Sequence, residues 1–208
     1  MLWMTFQQLY EANIPDDIYI QYVDLLKPYI DDSKRIIDIG CGTGKLLSLL
    51  RPYTKHLYGI DLDPDMIQAA KSNYKNITFM QHDMHDPLPY FADIAILSMD
   101  VIHFTKHPER VLFNVMDALD QDGLIIFDYF TKSLENIYEI HQTPFPYTWK
   151  RTIDGNTIYH VVSFNNKDYK LKQYIHPHMN FLTFFKEYSY DVSTIQSIDP
   201  NKTIIIAK

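Results

Sequence analysis

The sequence predicts an α/β fold: a seven-stranded, mostly parallel sheet with an antiparallel last strand, a helical N-terminal cap and an inserted three-stranded antiparallel sheet. Three observations predict it. The apolar run Ile36-Ile37-Asp38-Ile39 passes directly into glycines at the alternating positions 40, 42 and 44. Short apolar runs then alternate with helical patterns as far as residue 130, as parallel strands joined by crossover helices require. Beyond that point the chain turns aromatic and strand-like, broken by turn residues.

Residues 1–33 carry Ile18, Tyr22, Leu25, Leu26 and Tyr29 at helical spacing, which suits a cap packed by one face. Residues 34–130 hold the parallel core. Ile36 to Ile39 is its first strand, and the glycines after it allow turns and close approach that a Cβ would block. Lys45 to Leu50 is helix-like, so amides at its start can face a polar ligand. His56 to Ile60 is a second strand ending at Asp61, where an acid of a doubly wound sheet accepts hydrogen bonds from ribose hydroxyls. Asp61-Leu62-Asp63-Pro64-Asp65-Met66-Ile67 reads as strand end, turn and helix start, with Pro64 in the first turn. Ile77 to Met80 is a third strand leading to Gln81-His82-Asp83-Met84, and Asp93 to Leu97 is a fourth, with Ser98 to Phe104 just past its end. Pro108 to Leu119 is helical, and Asp122-Gly123 stops it before the strand Leu124 to Phe127.

Residues 131–180 read as the insertion. Tyr147 to Ile153, Thr157 to Phe164 and Tyr169 to His176 are separated by Asp154-Gly155-Asn156 and Asn165-Asn166-Lys167-Asp168, which predicts a three-stranded meander covering the active-site edge. Residues 181–208 close the core with a short helical stretch and a hairpin, Asp191 to Ile198 and Thr203 to Ala207, joined through Asp199-Pro200-Asn201.

A glycine-rich turn after a strand marks a nucleotide-like ligand, and two familiar spellings are excluded. Lys45 stands where a dinucleotide fingerprint needs its third glycine. A phosphate-binding P-loop needs a hydroxyl after Gly44-Lys45, where Leu46 stands, and a glycine where Ile39 stands. The spelling Asp38-x-Gly40-x-Gly42-x-Gly44 instead resembles motif I of the class I S-adenosylmethionine-dependent methyltransferases, whose core is Rossmann-like. The phrase Asp61 to Met66, the acid after the third strand and the step Phe127-Asp128 extend the resemblance, and the inserted sheet makes small-molecule members the nearest likeness. One departure is the region Asn180 to Tyr190, shorter than the usual helix and without its Gly-Phe step.

The resemblance implies S-adenosylmethionine as cofactor, held by Asp38, Gly40, Cys41, Gly42 and Gly44 at the loop. Asp38 either pins loop amides or faces the cofactor's amino group. Asp61, with Leu62 and Met66, belongs to the ribose end. Asp83 would bond the adenine amino group and the Met84 amide a ring nitrogen, with Ser98 past the fourth strand. Tyr10 and Tyr19 either close over the methionine end or pack a helix face.

Methyl transfer from a sulfonium releases a neutral thioether, so alignment supplies much of the acceleration. A base matters only where the acceptor must lose a proton. His103, past the fourth strand, is the candidate base or substrate hydrogen bond; the alternative is a packed ring beside Phe104. Asp100 either orients it or faces solvent. Tyr129, Trp149, His176 and His178 either line the acceptor pocket or form a buried sheet face. No metal is expected: His176 and His178 lack an acid or cysteine partner, and the cofactor loop accounts for His82 and His85.

At 208 residues the chain suits one domain with an elaboration, and a net charge of −7 without a basic run argues against nucleic-acid binding. The single cysteine, Cys41, cannot form an internal disulfide, which predicts a cytoplasmic protein. No segment has the length of a membrane span, and the acidic start is unlike a secretory signal. The expected partner is a small-molecule acceptor, and a homodimer stays open. Two rivals are kept. Ser98-Met99-Asp100-Val101 lacks the proline pair of amino-methylating RNA and protein enzymes, and Cys41 is misplaced for pyrimidine carbon methylation. A non-catalytic S-adenosylmethionine-binding module is the second rival.

Overall fold

The computed structural model describes residues 5–132, 134–142, 146–177 and 179–208. Two helices open the chain, α1 (Phe6–Ala12) and α2 (Asp16–Leu26), followed by a short 3-10 turn, Lys27–Tyr29. The core then runs β1 (Arg35–Ile39), α3 (Lys45–Leu50), β2 (His56–Asp61), α4 (Pro64–Asn73), β3 (Thr78–Gln81), β4 (Ala92–Leu97), a 3-10 turn (Val101–Phe104), α5 (Pro108–Ala118) and β5 (Leu119–Phe130). After it come β6 (Ile137–His141), β7 (Tyr147–Asp154), β8 (Thr157–Phe164), β9 (Lys167–Tyr174), α6 (Phe181–Glu187), β10 (Val192–Gln196) and β11 (Lys202–Ala207).

Seven strands form one sheet in the order β10-β11-β5-β4-β1-β2-β3. All neighbours from β5 to β3 pair in parallel, whereas β11 runs antiparallel to both β5 and β10, as the sequence predicts. The strand order reverses between β1 and β4, and ligands of such sheets bind at the carboxyl ends beside that reversal.

Period-two alternation builds the layers. Ile36, Leu57, Ile94, Ile96, Ile126 and Ile204 point to one face and pack with Leu46, Leu47 and Leu50 of α3 and Leu26 of α2. Residues of the opposite parity on the same strands, Ile37, Ile60, Ala95, Ile125, Phe127 and Ile205, point to the other, against Val111, Leu112 and Val115 of α5 and Phe181 and Phe185 of α6. Both faces being covered explains why β1 and β4 are nearly continuous apolar runs. Helix α4 starts where the sequence places it, because Asp63 caps it by accepting from the Asp65 and Met66 N–H groups. Among the described residues no helix is long and apolar enough to cross a membrane.

The inserted sheet has four strands, in the order β6-β7-β8-β9, where the sequence predicts three. The extra strand, β6, pairs antiparallel with β7 from Ile137 opposite Arg151 to His141 opposite Tyr147. β6 is an edge strand whose residues are all exposed or half-buried, so its sequence lacks the apolar-in, polar-out alternation that marks a strand. The expected turn at Asn165-Asn166 is present: both residues have positive φ, 52° and 59°, the geometry of a two-residue hairpin. A second difference is at α5, which ends at Ala118, so that Leu119 already pairs with Ala92 and the ladder shifts register before Leu124.

Side chains fasten the insertion to both other parts. The Phe6 ring stacks on Tyr169 at 3.9 Å, and the Tyr147 hydroxyl donates to Asn13 Oδ1 between α1 and α2. His103 Nδ1 donates to the Tyr174 carbonyl at 2.7 Å, and His176 Nε2 to the Ile102 carbonyl at 3.1 Å, which ties the end of β9 to the turn after β4.

Candidate functional site

A cavity of about 470 Å³ lies over the carboxyl ends of β1, β2 and β3. Its floor is the loop from Asp38 to Thr43, and its sides come from Asp61 to Asp63, His82 to His85, Ser98 and Met99. Tyr10, Glu11 and Tyr19 close it from the cap.

Three positive φ values, 71°, 53° and 82°, mark Gly40, Gly42 and Gly44, and each glycine serves a different end. A Cβ on Gly40 would stand 2.5 Å from Val101 Cγ2, and one on Gly44 the same distance from Phe79 Cζ. Around Gly42 there is open space, so this peptide is free for a ligand's close approach. Gly44 is not among the residues lining this cavity; it starts α3 in the left-handed region and makes room for Phe79.

Asp61 holds the loop in shape. Its Oδ2 accepts the Gly42 N–H and its Oδ1 the Asp63 N–H, both at 2.9 Å. Burial nevertheless raises its carboxyl above the usual range, against the pull of those donors. Asp38, 2% exposed, is more extreme: burial, with Asp61 adding repulsion, pushes it well above the ordinary value. Its Oδ1 has no partner among the described residues, so it does not pin loop amides with that oxygen. His82 Nε2 is likewise buried and unpaired. Two orphaned polar atoms in one crevice leave hydrogen-bonding capacity for a polar ligand.

Asp83 lies at the far end, held below the ordinary carboxylate value first by the His85 N–H. Its Oδ1 accepts from that N–H at 2.9 Å and from His85 Nδ1 at 2.7 Å, while His85 Nε2 meets Thr105 Oγ1 at 2.7 Å. His85 is thereby committed to bracing the loop. Leu62, 64% exposed, and buried Met66 complete the wall between the two acids. Cys41, buried, has its thiol pushed up by desolvation and fills the space left by Gly59.

A second cavity of about 280 Å³ adjoins the first. Phe6, Tyr10, Ile14, Met99, Phe104 and Leu171 line both, so one wall separates and connects them. The second chamber is roofed by inward-facing residues of the inserted sheet: Tyr147, Trp149, Arg151, His160, Val162 and Gln173. Asp100 and Lys202 lie on its other side.

The dividing segment, Met99-Asp100, has φ of 60° and 73°, a left-handed pair without glycine. Asp128 sustains it: its carboxylate accepts the N–H groups of Met99 at 3.0 Å and Asp100 at 2.8 Å, and the Tyr22 hydroxyl at 2.8 Å. The Asp100 carboxylate pairs with Lys202 at 2.7 Å; it neither orients His103 nor faces open solvent. Burial pulls the Lys202 ammonium down, but Asp100 and Asp128 hold it above its ordinary value.

His103 takes the packed-ring alternative and not the place of a base or substrate hydrogen bond. It is 1% exposed and lines neither cavity. Nδ1 donates to Tyr174 O, and Nε2 accepts the Phe130 N–H at 3.0 Å. Both ring nitrogens are spent on backbone, and burial pulls the imidazole down to about 4. As placed it is a clamp between β5, β9 and the 3-10 turn, with no nitrogen for an acceptor. Spacing past a strand end could not reveal this, because the groups that occupy the ring come from 27 and 71 residues away. Of the aromatic candidates, Trp149 lines the second chamber. Tyr129 packs on Phe181 and His176 stacks on His103 instead, and His178 lies outside the described residues.

The sequence reading missed the bonds that seat the cap. Thr43 Oγ1 donates to Glu11, and Lys45 pairs with Asp16 at 2.8 Å while lying over the Tyr19 ring at 4.6 Å. Arg151, His160 and Gln173 carry no signal but period-two alternation on the inserted sheet, and Lys202, at the start of β11, carries none.

Known proteins agree with this geometry. Residues 30–181 match the family model described as a methyltransferase domain. The malonyl-[acyl-carrier protein] O-methyltransferase of Bacillus cereus is 27% identical over 172 residues, covering 79% of this chain; the chain spans 61% of that relative's length. A crystal structure of an S-adenosylmethionine-dependent methyltransferase from Clostridium acetobutylicum superposes with a TM-score of 0.81 at 14% identity, over 98% of this chain and 95% of the other. CalS10 from Micromonospora echinaspora, an amino pentose methyltransferase solved with S-adenosylmethionine bound, gives 0.75 at 14% identity, over 100% and 98%. The glycine loop, the acids at the strand ends and a family match over most of the chain lead to one conclusion: it belongs to the class I S-adenosylmethionine-dependent methyltransferases.

Proposed function

We propose that this enzyme transfers a methyl group to oxygen or nitrogen of a small-molecule acceptor held in the second chamber. The observation that carries the reading is the pair of adjoining cavities, one over the glycine loop and one beneath the inserted sheet, with Tyr10 and Met99 in the wall common to both. A chamber of about 280 Å³ roofed by a sheet suits a metabolite better than a macromolecule. CalS10, an amino pentose methyltransferase, supports a small acceptor, and the Bacillus cereus relative, an O-methyltransferase of a malonyl group on a carrier protein, supports oxygen as an acceptor atom.

The crevice residues suit the cofactor. Asp38, with its unpaired buried oxygen, suits its ammonium; Asp61 suits the ribose hydroxyls; Asp83 and the Met84 N–H suit the adenine edge. Gly40, Cys41 and Gly42 supply the close backbone floor, and Leu62, Met66 and Ser98 the walls. Tyr10 and Tyr19 close the crevice from the cap. When bound, the cofactor supplies an electrophilic methyl on a sulfonium. The protein's own work is alignment and exclusion of water by Phe6, Tyr10, Phe104 and Leu171. Tyr10, its hydroxyl pushed up to about 12 mainly by burial, stays neutral and can only hydrogen-bond. We assign residues 1–33 and 131–180 as the covers of the site, and the single buried cysteine suits a reducing cytoplasm.

Isothermal titration with S-adenosylmethionine, followed by a methyl-release assay against a metabolite panel, tests the reading. Saturable binding with turnover on a small acceptor is expected. Tight binding with no turnover on any metabolite would point to a binding module, and turnover on RNA or protein alone would displace the small-molecule assignment.

A further inference from the structure

The roof of the second chamber carries a hydrogen-bond chain that has only one self-consistent direction. The Trp149 indole N–H can only donate, and it reaches His160 Nδ1 at 3.0 Å. Nδ1 therefore accepts, the neutral ring carries its proton on Nε2, and Nε2 donates to Gln173 Oε1 at 3.0 Å. That fixes the Gln173 amide: carbonyl toward His160, NH2 turned away from it. Gln173 lines the chamber and its NH2 makes no hydrogen bond among the described residues, so this amide is a donor available to a molecule in the chamber.

Arg151 lies opposite His160 in the ladder and lines the same chamber. Its Nε donates to the Glu135 carbonyl at 2.9 Å, which leaves the two terminal nitrogens with no carboxylate among the described residues. The acids of the chamber, Asp100 and Asp199, are engaged elsewhere, with Lys202 at 2.7 and 3.4 Å. What the roof offers a ligand is therefore N–H donors, one of them on a formal cation, set in a wall of Trp149, Tyr147, Val162 and Leu171. A cationic head would meet the guanidinium, and a wholly apolar one would leave it unpaired.

We infer that the acceptor is an anionic small molecule whose oxyanion, a carboxylate or a phosphate, pairs with Arg151, and whose further oxygen accepts from the Gln173 amide. This rests on the second chamber being the acceptor site. Trp149 and His160 act through Gln173 as positioning residues, and Arg151 and Gln173 set the specificity.

Trp149 is itself a reporter, since the chain's other tryptophan, Trp3, can be replaced by phenylalanine. Trp149 fluorescence of the cofactor-loaded protein would be titrated with malonate, with inorganic phosphate and with ethylammonium. We expect a saturable change with at least one anion and none with ethylammonium; preference between malonate and phosphate identifies the group. Arg151→Gln should weaken the anion at least tenfold, and Gln173→Glu should abolish binding, while calorimetry shows S-adenosylmethionine affinity within twofold of wild type. No saturable response to either anion, anion affinity unchanged in both variants, or a response to ethylammonium would overturn the inference. Failure of the wild-type protein to bind S-adenosylmethionine would instead overturn the cofactor reading, so the two are separable.

Discussion

The Asp61 carboxylate at the end of β2 accepts the backbone N–H of Gly42 at 2.9 Å, joining the end of β2 to the loop after β1 in one rim of the first cavity. The same carboxylate accepts from Asp63 and so also shapes the turn into α4. One side chain thus sets the loop geometry and remains in the crevice with lone pairs to spare.

Replacing Asp61 therefore has two effects. Asp61→Ala leaves two N–H groups without their acceptor and should cost about 2 kcal/mol of stability. It should also weaken S-adenosylmethionine at least tenfold by calorimetry. Unchanged affinity in a folded variant would remove Asp61 from the ribose site.

The glycines should separate into two classes. Gly44→Ala puts a Cβ about 2.5 Å from Phe79 Cζ at φ 82°, so overpacking and backbone strain combine to about 3 kcal/mol or more. Gly42→Ala meets open space and should cost only the left-handed penalty of about 1–2 kcal/mol. Its effect should fall on cofactor affinity instead. Thermal melts and calorimetry on both variants check the contrast, and equal melting temperatures would contradict it.

His103 gives a pH signature of defined sign. Burial lowers its folded value to about 4, with stacked His176 adding to the depression and the Tyr174 carbonyl and Asp128 opposing it. Its contribution is therefore full above the unfolded value of about 6.5 and is lost as pH falls from there to about 4, by roughly 3 kcal/mol in all. The difference in unfolding free energy between wild type and His103→Gln, measured in urea from pH 7 to pH 4, should shrink over that window. An imidazole NMR signal assigned to His103 by its loss in His103→Gln and titrating near pH 6.5 would refute the buried neutral ring.

Asp128 should be among the least replaceable side chains of the core. It accepts from Tyr22, Met99 and Asp100, so Asp128→Ala leaves all three donors buried and should cost about 3–5 kcal/mol. Tyr22→Phe removes one donor and should cost about 1 kcal/mol. Released from Asp128, Met99 and Asp100 should leave their left-handed conformations. Amide hydrogen exchange at those residues should rise in Asp128→Ala more than in Tyr22→Phe.

The parallel core was legible because its determinants are local. Strand apolarity, Gly40 to Gly44, the acid at 61 and the Asp63-Pro64 helix start each declare themselves within a few residues, and crossover connections leave little freedom in joining them. β6 was not legible, because an edge strand with Tyr138 and Ile140 exposed shows no alternation and is defined only by its pairing with β7. The role of Asp100 was not legible either, since its partner Lys202 lies 102 positions away and carries no motif.

By itself the sequence determined the doubly wound sheet, the cofactor loop and the acids at the strand ends, since those follow from backbone geometry and short-range pattern. Only the tertiary structure decided that His103 is a clamp, that Asp128 sustains the left-handed step at Met99-Asp100, and that Arg151 and Gln173 line the second cavity. The reason is physical: a side chain's role depends on which groups compete for its polar atoms, and here those groups arrive from distant strands.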